Sequence, residues 1–553
     1  MAKYVLGVDF GTLSVRTLLV NVNTGEEVTS SVYQYPHGVM DTQLPTGESL
    51  PQNWALQHPQ DYIDGLCYTI EQITSGSQLA KEDIVGIGVD FTGSTLLPVR
   101  EDGYPLCLLD QFKREPHAYV KLWKHHGCEK EANDIERIAK DRQESWLSYY
   151  GNNVSSEWTL PKILETLQQA PQVYEEADRF VDAVDWIIWL LTGVQTRSAC
   201  AAGYKAFYRH TSGYPSKDFL KALDPRLENL FEEKMAAPVA PVGQRAGFLT
   251  KQWAKKLGLC ETTAVGVGIL DAHASFLGSG VTKPNEMSIV IGTSSCHMCL
   301  CDQEIAMEGI CGTVKDGILP GYFGYEAGQS CVGDQYAWFM DHCVPESYAA
   351  EARTKNISIH ALMQSKLIGY KAGQSGLLAL DWFNGVRSPL MDFDLSGLIL
   401  GLHLKTKPEE IYLALIESTA YGTRRIIESF ESKGIPIHSV VLCGGIPLKN
   451  PTLVQIYADV INRDITVSES SQTSALGAAV LAIAAAGQEV TGYADIYEAV
   501  GKIGRRGSTV WHPQPQQVAI YNKLYEEYKT LCEYFGHGAN DVMKRLSILR
   551  NSN

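Results

Sequence analysis

No apolar run in these 553 residues is long enough to cross a bilayer. The longest runs, such as residues 480–486, fall far short of the ~20 residues that a spanning helix needs. No basic block offsets a formal net charge of −16, which argues against a nucleic-acid ligand. No short-period repeat or low-complexity tract is present, which argues against a solenoid. A strand pattern begins almost at Met1 and leaves no room for a signal peptide, so a cytoplasmic location is expected. Cysteine is not scarce, but the count of 13 is odd and the residues are scattered, so reduced thiols are expected rather than a disulfide framework. The run from Cys296 to Cys301 looks like a metal or redox motif. It lies in a predicted strand, where alternation turns Cys296 and Cys299 to opposite faces, so no metal is expected there.

What is present is ordinary for a globular protein: 45% hydrophobic and 20% charged residues. A chain this long exceeds what one core usually organises, which predicts two large domains. Strand and helix patterns alternate along it. Residues 36–59 read as a polar loop, residues 113–158 as charged and helical, and residues 406–430 as a long helix opened by a capping box. The Gly/Ser/Pro-rich stretch 278–285 marks the boundary. It divides an N-terminal domain (1–280) from a C-terminal domain (286–490), with residues 491–553 expected as a helical appendage.

The most specific signal is a recurrence. Val5-Leu6-Gly7-Val8-Asp9-Phe10-Gly11-Thr12-Leu13-Ser14-Val15-Arg16 is an apolar strand, a glycine turn and a second strand. Gly11 brings backbone N–H groups close to a bound anion. Thr12 and Ser14 add hydroxyl donors, and Asp9 can hold a hydrated metal ion. This combination suits an ATP phosphate tail with Mg²⁺. Ser288 to Ser295 repeats the plan around Gly292-Thr293. A third element, residues 439–445, is a buried strand ending in Gly444-Gly445, where a nucleoside can lie against the backbone. Asn450-Pro451 then opens a helix. Two Gly-Thr hairpins and a Gly-Gly shelf form the layout of the actin-like ATPases. The expected fold is therefore α/β: two actin-like, ribonuclease H-like domains with a hinge and an interdomain cleft. Asp271 follows a strand end and opens a helix, whose N-terminus keeps a carboxylate ionised. It is the candidate general base for a hydroxyl that attacks the γ-phosphate.

Further segments carry a resemblance to the FGGY carbohydrate kinases over nearly the whole chain, closest to their ribulokinase branch. Val89-Asp90-Phe91-Thr92-Gly93-Ser94-Thr95 resembles that branch's sugar loop and lacks the Gly-Gln of most other members. Leu122-Trp123-Lys124, Ala202-Gly203-Tyr204-Lys205, Tyr325-Glu326-Ala327-Gly328-Gln329-Ser330 and Asp381-Trp382-Phe383-Asn384-Gly385-Val386-Arg387-Ser388-Pro389 are similar to further family segments.

The resemblance implies phosphorylation of L-ribulose by ATP to L-ribulose 5-phosphate, with D-ribulose or L-xylulose as alternative acceptors. It implies Asp271 as base and Asp9 at Mg²⁺. Thr12, Leu13, Ser14 and Arg16 would wrap the phosphates, with Gly292 and Thr293 on the other side. Gly444, Gly445 and Asn450 would shelve the adenosine. Gly93, Ser94, Trp123, Lys124, Lys205, Asp271 and Glu326 would line the sugar pocket. Taken alone, Arg16 reads equally well as a salt-bridge residue. The partners expected are sugar and ATP, without nucleic acid or membrane; the oligomeric state is open, with a homodimer among the outcomes. A nucleotide-gated binding ATPase of the actin or chaperone type is the alternative from another class.

Overall fold

The computed structural model describes residues 2–76 and 79–551. Its two largest sheets have seven strands each and repeat one plan. In the first, Tyr4–Phe10 pairs antiparallel with Ser14–Asn21 and parallel with Ile84–Phe91. In the second, Glu286–Ile291 pairs antiparallel with Ser295–Cys301 and parallel with Ser439–Cys443. The central strands are buried on both faces, which is why they read as near-continuous apolar runs rather than alternating ones. The two glycine turns close alike: Gly11 N–H donates to the Ser14 carbonyl at 2.9 Å, and Gly292 N–H to the Ser294 carbonyl at 2.9 Å.

A smaller sheet of four strands stands beside the first: Leu56–Gln57, Val120–Lys121, Leu96–Val99 and Arg179–Asp182. It has its own core, with Trp146, Trp158 and Phe207 packed on Tyr150. Residues 113–158 are thus less helical than their charge pattern predicts. The helix Glu129–Asp141 is present, but Val120–Lys121 is a strand and Ser145–Tyr150 a 3₁₀ turn.

The boundaries drawn along the sequence differ from the cores in space. The helix Thr473–Ala486, assigned above to the C-terminal domain, packs on the first sheet. A Cβ on Gly7 would lie 1.9 Å from the Ala475 carbonyl oxygen, and one on Gly88 would lie 1.8 Å from that of Ala478. Ile496–Ile503 belongs to the same core. Nor are residues 491–553 an appendage. Arg506–Trp511 adds the last strand of the second sheet beside Asp464–Ser468. Pro515–Gly536 then buries Tyr521, Tyr525 and Tyr528 in the second core. These tyrosines recur at helical spacing, so an otherwise polar segment carries a buried stripe. No single described helix is long and apolar enough to cross a membrane, and all 13 cysteines are free.

Candidate functional site

Three carboxylates converge because of strand register. Asp9 stands opposite Asp90 on neighbouring parallel strands. The short strand Ile269–Leu270 pairs with Asp90 and Phe91 on the other side of the same strand, and Asp271 follows it directly. Asp9 is raised above the usual carboxylate range by burial, with Arg16, 3.6 Å away, pulling the other way. Asp90 is fully buried, and no conventional donor reaches either oxygen. Burial, then Asp9 and Asp271, push it well above the usual range. Asp271 accepts the Ala272 N–H at 2.8 Å. Burial, followed by the charge of Asp9, raises it to about 7.

Next to these carboxylates is a cavity of about 320 Å³ whose walls come from both halves of the chain. Lys205 is carried by the helix Ala199–Ala206 and Glu326 by the strand Phe323–Gln329; Lys205 Nζ lies 3.3 Å from Glu326 Oε2. Burial is the largest single influence on each and opposes its charge, but the partner's charge together with other neighbouring groups outweighs it: Lys205 is held above its usual value and Glu326 below. His273 Nε2 lies 3.4 Å from the same Glu326 oxygen, and its ring packs on Tyr204. Burial lowers it to about 4, so it is neutral at physiological pH.

Most of the expected residues meet here. Gly93, Ser94, Trp123, Lys205, Asp271 and Glu326 line the cavity, together with Thr12, Gly292 and Thr293 from the two glycine turns. Trp123 Nε1 donates to Thr12 Oγ1 at 3.1 Å, joining the sugar-side wall to the first turn. Lys124 departs from expectation: it lines an outer cleft of about 1000 Å³ and not the inner cavity. Arg16 faces Asp9 as an ion pair, Leu13 is 58% exposed at the tip of its turn, and neither they nor Ser14 line the inner cavity or the outer cleft. Gly444, Gly445 and Asn450 line neither space. Asn450 is buried, and its Oδ1 accepts the Leu453 N–H at 3.0 Å, capping Pro451–Ile461.

Three further residues belong to the site. Asp90 is one; its signal was the alignment of two carboxylates at equivalent strand ends. Arg387 and Glu157 are the others, 3.6 Å apart at the join of the inner cavity and the outer cleft. Arg387 lay within a segment already singled out, but a loop arginine carries no local sign of what it faces. Asp9, whose side chain keeps 15% exposure while Asp90 behind it has none, offers a hard oxygen donor of the kind that suits Mg²⁺.

Comparison with known proteins gives a consistent family. The profile of the N-terminal domain of the FGGY family of carbohydrate kinases matches residues 4–278, and that of its C-terminal domain matches residues 287–486. A ribulokinase of Halalkalibacterium halodurans is 50% identical over 550 residues, covering 99% of this chain and 98% of that one. A ribulokinase of Mycolicibacterium smegmatis is 42% identical, covering 100% and 97%. Among solved structures, a xylulose kinase from Rhodospirillum rubrum superposes with a TM-score of 0.77 at 21% identity, covering 97% of this chain and 100% of that one. A glycerol kinase from Plasmodium falciparum, solved with ADP, gives 0.75 at 18%, covering 96% and 98%.

Proposed function

This chain belongs to the FGGY family of carbohydrate kinases, and we infer that it phosphorylates ribulose with ATP as donor. The L-isomer and its terminal 5-hydroxyl are the acceptor we propose. The observation that carries this reading is the single cavity in which a carboxylate base, a Lys-Glu pair and both glycine turns meet. An actin- or chaperone-type binding ATPase has no need of such a cavity.

Lys205 donates to sugar oxygens, and Glu326 accepts from sugar hydroxyls. Trp123 and the Gly93-Ser94 loop form the wall against which the sugar lies. Asp271, as a carboxylate, accepts the proton of the attacking hydroxyl, and the Ala272 N–H holds one of its oxygens in place. Thr12, Gly292 and Thr293 offer hydroxyl and backbone donors to the triphosphate from its two sides. Asp9, with Asp90 behind it, would hold Mg²⁺, whose charge offsets that building on the phosphates. Water competes with the sugar as acceptor, so closure of the two halves over the cavity protects the reaction.

Initial rates with ATP and each of the four ketopentoses test the proposal. Fastest turnover of L-ribulose is the expected result. Comparable ATP hydrolysis with or without any sugar overturns it.

A further inference from the structure

The helix Thr159–Gln169 lies behind the cavity and contributes no residue to its lining. One face of it nevertheless carries Lys162, Glu165 and Thr166, at helical spacing, all buried. Lys162 Nζ donates to the Ser94 carbonyl at 2.6 Å and to the Leu122 carbonyl at 2.9 Å. Ser94 lines the cavity, and Leu122 immediately precedes Trp123, which also lines it. Among the described residues, no carboxylate lies within ion-pair distance of Lys162. A buried ammonium without a counter-charge is costly, and an aliphatic side chain of similar size would fill the same space.

The surrounding geometry indicates what that cost secures. Ser94 has φ of 54°, a left-handed conformation that a serine holds only when its surroundings impose it. The loop runs close to the sugar-side cation: a Cβ on Gly93 would come 3.2 Å from Lys205 Cε. On the other side, Glu165 Oε2 accepts from Lys121 Nζ at 2.6 Å and lies 3.0 Å from His125 Nε2, while Thr166 Oγ1 accepts from Lys121 at 2.7 Å. The segment that carries Trp123 is therefore fixed to this helix before and after the tryptophan. Among the described residues, Lys162 is the member of this helix that hydrogen-bonds to the Gly93-Ser94 loop.

We propose that Lys162 is a positioning residue for sugar binding: its ammonium ties the Gly93-Ser94 loop to the Trp123 segment and holds two walls of the cavity in register. The proposal rests on the sugar-kinase reading of that cavity. Lys162 touches no substrate; it acts through two backbone carbonyls.

The test is steady-state kinetics of Lys162→Met in the full chain, with ribulose varied at saturating ATP and ATP varied at saturating ribulose. The expected result is a sugar KM raised by about tenfold or more, with the ATP KM within about twofold of the parent. A merely structural residue would lower the melting temperature and the active fraction. That reduces kcat and leaves the sugar KM unchanged, and this outcome overturns the proposal. Lys162→Gln, which keeps one amide donor at shorter reach, should give an intermediate sugar KM and serves if Lys162→Met does not fold. Failure of both to fold makes Lys162 a requirement of the core and also overturns the proposal. A parent protein inactive on every ketopentose refutes the kinase reading itself; an active parent with unaltered variants refutes only the role of Lys162.

Discussion

Lys205 and Glu326 meet at 3.3 Å across the two halves of the molecule, their side chains only 12% and 6% exposed. One comes from a helix beside the first sheet and the other from a strand of the second. The pair therefore does two things. It neutralises two charges that burial would otherwise suppress, and it presents a donor and an acceptor to the cavity.

These two roles separate experimentally. Lys205→Met and Glu326→Gln should each raise the sugar KM by roughly 5–150-fold, since each leaves sugar hydroxyls or the remaining charge unpaired. The ATP KM should hardly move. Each single variant should also melt at lower temperature, because one uncompensated charge stays buried. The double variant should regain stability but not sugar affinity. Unchanged sugar constants in the folded single variants would place the pocket elsewhere.

Asp271 gives a pH prediction with a fixed sign. The base works as a carboxylate, and its folded value is raised to about 7 by burial and then by Asp9. Activity on the sugar should therefore fall as pH drops through about 7 and level off above it. Asp271→Asn should retain ATP binding and lose ~10²–10⁴-fold in turnover, the range for removing a general base. A flat profile between pH 5.5 and 8.5 (rates taken only where the protein stays folded) would remove Asp271 from the proton transfer.

Asp9 should behave as a site for the metal rather than for the sugar. In Asp9→Asn, the Mg²⁺ concentration giving half-maximal rate at fixed ATP should rise clearly, while calorimetry with sugar alone should give nearly the parent affinity. Loss of sugar binding in that variant would make Asp9 a structural support of the cavity.

How much of this was legible in the sequence follows from the range of each interaction. The glycine turns and the strands leading into them are local, so Gly11, Thr12, Gly292 and Thr293 could be read directly. The strand-to-helix setting singled out Asp271, and family resemblance Lys205 and Glu326, as candidates that the fold brings to one cavity. Asp90 was passed over because its neighbour Asp9 is 81 positions away and only strand register brings them together. Lys162 was invisible for the same reason: its two acceptors are main-chain atoms 68 and 40 residues distant. The C-terminal segment was misread as peripheral because polar composition outweighed three tyrosines. The helix Thr473–Ala486 lies within the second domain in sequence but packs on the first sheet, which no local pattern reports.

Glu417 gives a prediction on stability away from the site. It is buried in the helix Pro408–Ser432, where Tyr521 Oη donates to it at 3.0 Å. Burial raises it to about 8, so the folded protein keeps a proton that the unfolded chain loses near the ordinary glutamate value. Its contribution to stability is then full below about 4.5 and is lost as pH rises through about 8. Glu417→Gln keeps an acceptor for Tyr521 and cannot ionise. Relative to the parent, the variant should gain melting temperature as pH goes from 5 to 8.5. A difference between the two proteins that is constant over that range would mean Glu417 titrates normally in the folded state.

The adenosine shelf is the part of the site with least side-chain support, and its two glycines separate the fold from the function. Gly444 has φ of 102°, and a Cβ there would lie 2.3 Å from the Ile291 carbonyl oxygen. Gly445 has no such constraint: nothing lies within 4 Å of a Cβ built on it. Gly444→Ala should therefore lower the melting temperature, since both the backbone and its strand neighbour must yield. Gly445→Ala should leave the melting temperature within about 1–2 °C of the parent, because an exposed methyl disturbs nothing in the fold. If a nucleoside lies against this backbone, the same methyl occupies its space. The ATP KM of Gly445→Ala should then rise severalfold while the ketopentose KM stays put. Steady-state kinetics with each substrate varied in turn reads both. An unchanged ATP KM in a folded Gly445→Ala protein would move the adenosine to another surface, and with it the roles proposed for Gly444 and Asn450.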